Sequence, residues 1–219
     1  MKTAIILAAG RGERLRPITD IMPKPLCQVQ GKALIVHHII RLQQAGYQQI
    51  IINHAYLGWQ IRQYLGNGSA FGVDIHYSPE PPGALETGGG IVQILRLMPD
   101  ICAEKFIVVN ADIFTDYPFA QLRLVTDSKI HLILIHTSNL AVDFGLTQAG
   151  LVCHQNKIYL FSGIAMYSAD YFANYAPGRY SVTPLLCKWI AAGLVTGSIY
   201  AGVWHDVGSL QRMHSLNLN

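Results

Sequence analysis

The sequence has few charged residues, no long apolar run and no block of basic residues. Asp, Glu, Lys and Arg make up 13% of its 219 residues. Every apolar stretch is shorter than the roughly 20 residues that cross a membrane, and the apolar start at 4–7 is too short for a signal peptide. Basic residues interleaved with aromatic ones, which bind single-stranded nucleic acid, are missing too. We therefore expect neither a membrane nor a nucleic acid as a partner.

Cysteine is scarce and scattered. The four thiols are Cys27, Cys102, Cys153 and Cys187, and no two of them form a CxxC pair. This spacing argues against a zinc site or a disulfide framework. Reduced thiols without an export signal are typical of the cytoplasm, where we expect this protein to be located.

Apolar residues are abundant, at 51% of the chain, so a sizeable core is expected. Short apolar runs alternate with stretches of helical periodicity. Strands are predicted at 3–9, 49–54, 73–78, 105–112, 130–137, within 151–168 around a turn at 155–156, and near 197–208. Helices are predicted at 33–46, 57–66, 86–98, 169–175, 182–192 and from Ser209 onward.

This alternation predicts an α/β fold, with a Rossmann-like three-layer arrangement around a mostly parallel mixed sheet. Continuous apolar strands such as 5–7 and 106–109 indicate a sheet buried on both faces. After Asp112 the alternation loosens and becomes α+β in character. We expect one domain over 1–219, in two halves at about 1–112 and about 113–219.

The stretch LAAGRGERLRP follows the first predicted strand, where open parallel sheets bind ligands. Gly10 and Gly12 allow close backbone approach and expose N–H groups to anions, while Arg11, Arg14 and Arg16 add cations. A polyphosphate laid over a glycine turn fits this pattern. The stretch lacks the GxxxxGK[ST] of a P-loop, and Leu15 replaces the third glycine of a dinucleotide fingerprint.

Lys24 lies between Pro23 and Pro25, which restrict the backbone and hold the lysine in a defined place. A ligand contact and a solvated lysine on a proline-rich loop are both compatible with this setting. Two aspartates raise a similar choice. Asp112 follows a buried strand and Asp206 precedes Gly208, so each is either a metal ligand or a cap of the next turn or helix.

The residues LAAGRGERLRPITDIMPKPL, 7–26, resemble the signature of the sugar-phosphate nucleotidyltransferases. The resemblance implies an enzyme that joins a nucleoside triphosphate to a sugar 1-phosphate. It implies Lys24 and Arg14 as catalytic residues, and Mg²⁺ as a cofactor held by Asp112 and Asp206. The implied nucleotide contacts here are Leu7, Ala8, Gly10, Arg11, Gly12, Glu13 and Lys24.

A likeness to the N-acetylmuramate 1-phosphate uridylyltransferases of bacterial cell-wall recycling extends over nearly the whole chain. Six further segments of this chain resemble segments that occur in the same order in that family: NHAYLGWQI, YSPE, LETGGGI, NADIFTDY, FSGIAMY and WHDVGSLQR. The likeness implies UTP and N-acetylmuramic acid 1-phosphate as substrates, with a nucleotide-binding half at about 1–112 and a sugar-binding half at about 113–219. Further implied nucleotide contacts are Glu80, Gly88 and Asn110, and implied sugar contacts are Asn53, Asp143, Ser162 and Gly163. The Glu-Lys-Pro motif that many relatives carry before FSGI is absent here.

Several alternatives stay open from the residues alone. Asn53 is a sugar contact or a member of a buried polar pair with His54. A mannose-1-phosphate guanylyltransferase, or another sugar-1-phosphate nucleotidyltransferase, would keep the reaction and change the substrates. A non-catalytic nucleotide-sugar sensor would bind without turnover, although the presence of Lys24, Asp112 and Asp206 favours an enzyme. Neither the base nor the choice between monomer and homo-oligomer is determined by the sequence.

Overall fold

The computed structural model describes residues 2–102, 104–124 and 128–218. A seven-stranded sheet runs in the order β12-β8-β11-β6-β1-β4-β5. Its strands are β1 (Lys2–Leu7), β4 (Tyr47–His54), β5 (Asp74–Pro79), β6 (Lys105–Asn110), β8 (Ile130–His136), β11 (Tyr159–Ser168) and β12 (Val195–Tyr200). All neighbours are parallel except β11, which is antiparallel to both β6 and β8.

Helices cover both faces of this sheet. The α-helices are α1 (Ile18–Ile21), α2 (Leu34–Gln44), α3 (Gly58–Leu65), α4 (Glu86–Leu97), α5 (Thr183–Ala191) and α6 (Leu210–Asn217), and those that cover the sheet are α2 and α3 on one face and α4 and α5 on the other. In β1, Ala4 and Ile6 pack into one core with α2 and α3, while Ile5 packs into a second core with α4 and α5. Alternate side chains of one apolar strand therefore enter different cores, which explains the continuous apolar runs. The predicted α/β, three-layer fold is confirmed.

Six short strands form two-stranded pairs outside the main sheet. They are β2 (Gln28–Val29) with β3 (Lys32–Ala33), β7 (Ile113–Thr115) with β13 (Trp204–Asp206), and β9 (Gly145–Leu146) with β10 (Val152–Cys153). A third apolar cluster, which includes Phe114, Val207 and Leu216, packs α6 against this region. The C-terminal helix is thereby fixed beside the residues that follow β6.

The structure differs from the predicted elements mainly in the second half. The strand predicted near 197–208 is two strands, β12 and β13, which belong to different sheets. The helix predicted at 169–175 is a short 3-10 helix at Ala169–Phe172. Strands β10 and β11 do flank the predicted turn at 155–156, but they pair with β9 and with β8 and β6 instead of each other. Among the helices of the described ranges, none has the length and apolar content needed to cross a membrane.

Candidate active site at the carboxyl edge of the sheet

Three neighbouring strands end in register at the same edge of the sheet. Leu7, the last residue of β1, pairs with Asn53 on β4 and with Asn110 on β6. A cavity of about 910 Å³ opens at this edge, within the size range of small-molecule sites. Of the predicted site residues, those that line it are Leu7, Ala8, Gly10, Arg11, Gly12, Glu13, Arg14, Lys24, Asn53, Glu80, Asn110 and Asp112.

The glycine turn packs tightly against the lysine segment. Gly12 has a φ of 70°, and a Cβ built there would stand 3.0 Å from Lys24 Cβ and 3.1 Å from Thr19 Cγ2. Thr19 Oγ1 donates a hydrogen bond to the Gly12 carbonyl at 2.8 Å. Glycine is therefore required at position 12 for both its conformation and the close approach. A Cβ at Gly10, in contrast, would meet no atom within 4 Å.

The three arginines after the turn have different roles. Arg11 pairs with Asp20 at 2.7 Å and lies over the Tyr56 ring, with its guanidinium carbon 3.7 Å from the ring centroid. Arg16 also pairs with Asp20, at 3.3 Å, and does not line the cavity. Arg14 lines the cavity, and its Nη2 would be 2.9 Å from a Cβ at Gly208. Arg14 is therefore the arginine that links the glycine turn to the C-terminal part of the site.

Lys24 is buried, with 7% of the residue exposed, and its ammonium points at a carboxylate. Its Nζ donates to Asp112 Oδ2 at 3.0 Å, while the Asp112 side chain keeps 44% of its surface exposed. A short 3-10 helix at Lys24–Leu26 fixes the lysine backbone between the two prolines. The cation is thus held in place inside the cavity, as the flanking prolines predict.

Asp112 and Asp206 are brought together by the small β7–β13 ladder. Asp206 is opposite Ile113, and the Val207 N–H donates to the Asp112 carbonyl at 3.0 Å. Asp206 is also ion-paired with Arg212 on α6, and it does not line the large cavity. Nothing in the sequence indicates this ladder, because its strands have only three residues each.

These two carboxylates suit a hard divalent cation. Such an ion binds oxygen ligands and commonly takes only one or two protein carboxylates, with phosphate and water completing its shell. Across 2–102, 104–124 and 128–218, no group of three or more His, Cys, Asp or Glu side chains is arranged to hold a metal. A cation at Asp112 and Asp206 would therefore need phosphate or water oxygens from outside the chain.

Asn53 and Glu80 form a buried hydrogen-bonded pair in the wall of the cavity. Asn53 Oδ1 accepts from the Ala8 N–H at 2.7 Å, and its Nδ2 donates to Glu80 Oε1 at 2.7 Å. The other Glu80 oxygen accepts from the Leu85 N–H at 2.7 Å. Burial raises the pKa of Glu80. Both polar atoms of the Asn53 side chain thus hold the glycine turn and the 80–85 loop, and the predicted contact of Asn53 with a sugar stays a prediction.

The three glycines that begin α4 admit other parts of the protein itself. A Cβ at Gly88 would be 2.8 Å from Tyr180 Cδ2, and one at Gly90 would be 2.6 Å from Glu80 Oε1. The Gly88 N–H donates to the Tyr180 carbonyl at 3.0 Å. Gly88 does not line the cavity. The chain's own Tyr180 thus approaches Gly88 closely, and the predicted contact of Gly88 with the nucleotide stays a prediction.

The other predicted sugar contacts, Asp143, Ser162 and Gly163, do not line the large cavity. Gly163 has a φ of 80°, and a Cβ there would be 2.8 Å from Asn110 Nδ2. Ser162 is buried, and its carbonyl accepts from the Trp204 indole N–H at 2.9 Å. Asp143 Oδ2 accepts from the Phe161 N–H at 3.0 Å, which ties it to the start of β11. As placed here, Asp143 and Ser162 hold backbone, and their direct contact with a sugar stays a prediction.

Some cavity residues were not predicted. Arg179 reaches the cavity from the segment before α5 and pairs with Glu86 at 3.5 Å. Tyr56 lines the wall beneath the Arg11 guanidinium. Both are distant in sequence from the glycine turn, and a lone tyrosine or arginine in a loop has no periodic or spacing signal. Only the fold brings them to this cavity.

Comparisons with known proteins agree with this geometry. A family model for nucleotidyl transferases matches residues 3–162. The chain is 42% identical over 221 residues to N-acetylmuramate alpha-1-phosphate uridylyltransferase of Neisseria meningitidis, with 96% of this chain and 94% of that protein covered. It is 31% identical over 228 residues to the protein of the same name from Caulobacter vibrioides, with 96% and 93% covered.

The fold comparison gives the same architecture. The structure of HddC from Yersinia pseudotuberculosis, solved in complex with GMP-PN, superposes with a TM-score of 0.81 at 20% identity and covers 100% of this chain and 99% of that one. The family model matches residues 3–162, and both relatives align over 96% of the chain. The chain therefore belongs to the nucleotidyl transferase family of enzymes.

Proposed function

We propose that this enzyme transfers a uridylyl group from UTP to N-acetylmuramic acid 1-phosphate and releases pyrophosphate. The observation that carries the proposal is the Lys24–Asp112 pair, 3.0 Å apart, beside a glycine turn that opens into a cavity of about 910 Å³. The choice of UTP and of this sugar is supported by the two relatives that share 42% and 31% identity over most of the chain.

In the proposed reaction, an oxygen of the sugar phosphate attacks the α-phosphorus of UTP. A new P–O bond forms, the bond from the α-phosphorus to the bridging oxygen breaks, and pyrophosphate leaves with that electron pair. The attacking phosphate is already an anion, so no protein nucleophile and no proton transfer are needed. The chain's contribution is positioning and electrostatic stabilisation.

Each role in this scheme belongs to a residue whose position is described. The Lys24 ammonium neutralises charge between the α-phosphate and the incoming phosphate. Arg14 and the N–H groups from Gly10 to Gly12 hold the β- and γ-phosphates, while Arg11, fixed by Asp20, supports the turn. The Asn53–Glu80 pair keeps the turn and the 80–85 loop at a fixed separation, against which the nucleoside is bound.

We propose Mg²⁺ as the cofactor, with Asp112 and Asp206 as its protein ligands. When bound, the ion would neutralise phosphate charge at the reacting centre. The donor set fits, because Asp206 ends β13, Asp112 immediately precedes β7, and two carboxylates leave several positions for phosphate and water. Each carboxylate also has a cationic partner within the chain, since Lys24 pairs with Asp112 and Arg212 pairs with Asp206.

The proposal places the enzyme in the cytoplasm, as one domain whose two halves bind nucleotide and sugar, in the recycling of peptidoglycan sugars. Free thiols on all four cysteines suit a reducing compartment. A guanylyl or other nucleotidyl transfer to a different sugar 1-phosphate is the second candidate. It keeps every phosphate contact and changes only the base and sugar contacts.

The test is pyrophosphate release in Mg²⁺ with each of four triphosphates against a panel of sugar 1-phosphates. We expect turnover to be confined to UTP with N-acetylmuramic acid 1-phosphate, and to be lost in Asp112→Ala. Turnover with another pair would contradict the substrates and keep the mechanism. Tight triphosphate binding with no turnover for any pair would contradict the enzyme assignment and favour a nucleotide-sugar sensor.

A further inference from the structure

A second cavity adjoins the proposed metal site. It measures about 420 Å³ and is lined on one side by the end of β8 and the residues after it, and on the other by β13 and α6. The turn that follows β13 separates the two cavities, because Gly208 lines the large one and Asp206 lines the second. A sugar phosphate held through a metal ion at Asp112 and Asp206 would therefore be able to extend its sugar into the second cavity.

Arg212 supplies the arginine of this cavity. It lies in the first turn of α6, where its backbone N–H donates to Ser209 Oγ at 3.3 Å. Its guanidinium pairs with Asp206, and 40% of the side chain stays exposed. The backbone is thus held by the helix cap, while the long side chain can exchange one anion for another by rotation.

The charges around the second cavity favour an anionic ligand. Its charged or titratable side chains are Asp206, Arg212, His136, His205 and Tyr200, and both histidines are exposed. Asp206 is the one carboxylate among them, and it is already paired. If Asp206 turns to a metal ion, the guanidinium of Arg212 is left without its partner and faces a polar cavity.

The proposed acceptor carries a matching anion. N-acetylmuramic acid differs from N-acetylglucosamine by a lactyl ether that ends in a carboxylate. We propose that Arg212 binds this carboxylate in the second cavity and thereby selects the muramyl sugar over its uncharged analogue. A guanidinium presents paired N–H donors that match a carboxylate. This inference rests on the proposed function and adds a specificity-determining residue to it.

The experiment compares two acceptors, N-acetylmuramic acid 1-phosphate and N-acetylglucosamine 1-phosphate, with UTP in the wild-type enzyme and in Arg212→Gln. The ratio of kcat/KM for the two acceptors should fall by roughly ten- to a hundredfold in the variant, the typical effect of losing a charge-assisted hydrogen bond. Most of the loss should appear in KM for the muramyl acceptor. Arg212→Lys should retain part of the ratio, because it keeps the charge and loses the fork.

Binding of Mg²⁺ distinguishes this role from an indirect effect of Arg212 on the orientation of Asp206. Calorimetric binding of Mg²⁺ to the enzyme without substrates should be as tight or tighter in Arg212→Gln, because a competitor for the carboxylate is removed. Arg62→Gln, on α3 and outside both cavities, is the matched control for loss of one arginine. A muramyl preference retained in Arg212→Gln, or an equal loss with both acceptors together with weaker Mg²⁺ binding, would overturn the inference alone. A wild-type enzyme that uses neither acceptor, or prefers the uncharged one, would overturn the proposed function with it.

Discussion

At the residue scale, Lys24 shows how an ammonium group can be held in a fixed position inside a cavity while the residue is nearly buried. Its Nζ makes one ion pair, to an aspartate whose side chain is 44% exposed. Phosphate oxygens can approach the same ammonium from the cavity that both residues line. The sequence predicted a fixed lysine from the two flanking prolines, but the partner 88 positions away depends on the fold.

Replacing Lys24 by Met keeps most of the side-chain volume and removes the charge. We expect kcat to fall by about a hundredfold or more, because a transition-state contact to phosphate is lost. The KM for UTP should change much less, since the glycine turn and Arg14 remain. Steady-state pyrophosphate release measures both constants. Lys32→Met, an exposed position on β3, controls for loss of one positive charge, and an equal loss in both variants would contradict the assignment.

At position 163, both the backbone conformation and the contact with Asn110 disfavour any side chain larger than that of glycine. Gly163→Ala combines a φ of 80° with a Cβ only 2.8 Å from Asn110 Nδ2, and should lower the free energy of unfolding by about 1–3 kcal/mol. Urea denaturation measures this. Gly150→Ala shares a φ of 77° but meets no atom within 4 Å, so it isolates the conformational cost. Equal costs at the two positions would show that the contact with Asn110 is unimportant.

At the element scale, the long buried strands and helices were predictable and the short ones were not. β1, β4 and β6 carry continuous apolar runs that can only be satisfied by burial on both faces, so their shared carboxyl edge followed from the sequence. β7 and β13 have three residues each, too few to show a period of two. Their pairing, which brings Asp206 beside Asp112, is a long-range contact that no local pattern specifies.

The Asn53–Glu80 pair joins the end of β4 to the loop after β5, and it can be tested by adding one negative charge at position 53. Asn53→Asp still accepts from the Ala8 N–H but sets a second carboxylate against Glu80 in a buried place. Two such groups resist ionising together, so the folded state holds a proton more tightly than the unfolded state. Stability should therefore be near wild type at about pH 4.5 and fall as pH rises, by about 2 kcal/mol or more at about pH 8.

Urea denaturation across this pH range measures the effect of Asn53→Asp. Gln49→Glu, on the same strand beside the more exposed Asp74, makes the same amide-to-acid change. The control should show a much smaller slope, because solvent screens the two charges. Parallel stability curves for the two variants would contradict the buried network.

α2 is linked to β7 by a histidine that is buried in its neutral form. His38 Nε2 bonds to the Ile113 carbonyl at 2.9 Å. Burial lowers the pKa of His38 to about 4, a shift to which His37 and Arg41 add and which Asp112 opposes. Between about pH 6.5 and 4, His38 therefore binds a proton in the unfolded chain but not in the folded chain. The stability contributed is present above about pH 6.5 and lost as pH falls through this window, by up to about 3 kcal/mol.

His38→Gln keeps a donor for the Ile113 carbonyl and cannot titrate. The difference in unfolding free energy between wild type and variant, measured by urea denaturation, should shrink or reverse as pH falls from about 7 to about 4.5. A difference that stays constant over that range would contradict the assignment of acid sensitivity to His38.

At the scale of the whole molecule, the site is assembled from segments across the chain. The glycine turn, Lys24 and Asp112 come from the first half, while Asp206, Arg179 and Arg212 come from the second. The main sheet likewise draws β1, β4, β5 and β6 from the first half and β8, β11 and β12 from the second. The antiparallel insertion of β11 between β6 and β8 was not predictable, because an apolar strand carries no signal of its direction.

This assembly explains why sequence reasoning placed the nucleotide end more completely than the sugar end. The residues that we propose to bind phosphate lie mainly in one contiguous segment, 7–26, whose glycines, arginines and prolines have specific physical roles. The proposed sugar end depends on the loops after β8 and β12 and on α6, which approach one another only in the folded chain. Arg212 is four residues beyond Gly208, yet nothing in that spacing indicates a second cavity.

The most direct test of the central claim is the identity and amount of product. Purified enzyme with UTP, N-acetylmuramic acid 1-phosphate and Mg²⁺ would be analysed by mass spectrometry, with pyrophosphate measured in the same sample. We expect UDP-N-acetylmuramic acid and pyrophosphate in equal amounts, and neither product from Asp112→Ala. UTP that is bound and returned unchanged, or hydrolysed without a nucleotide sugar, would contradict it.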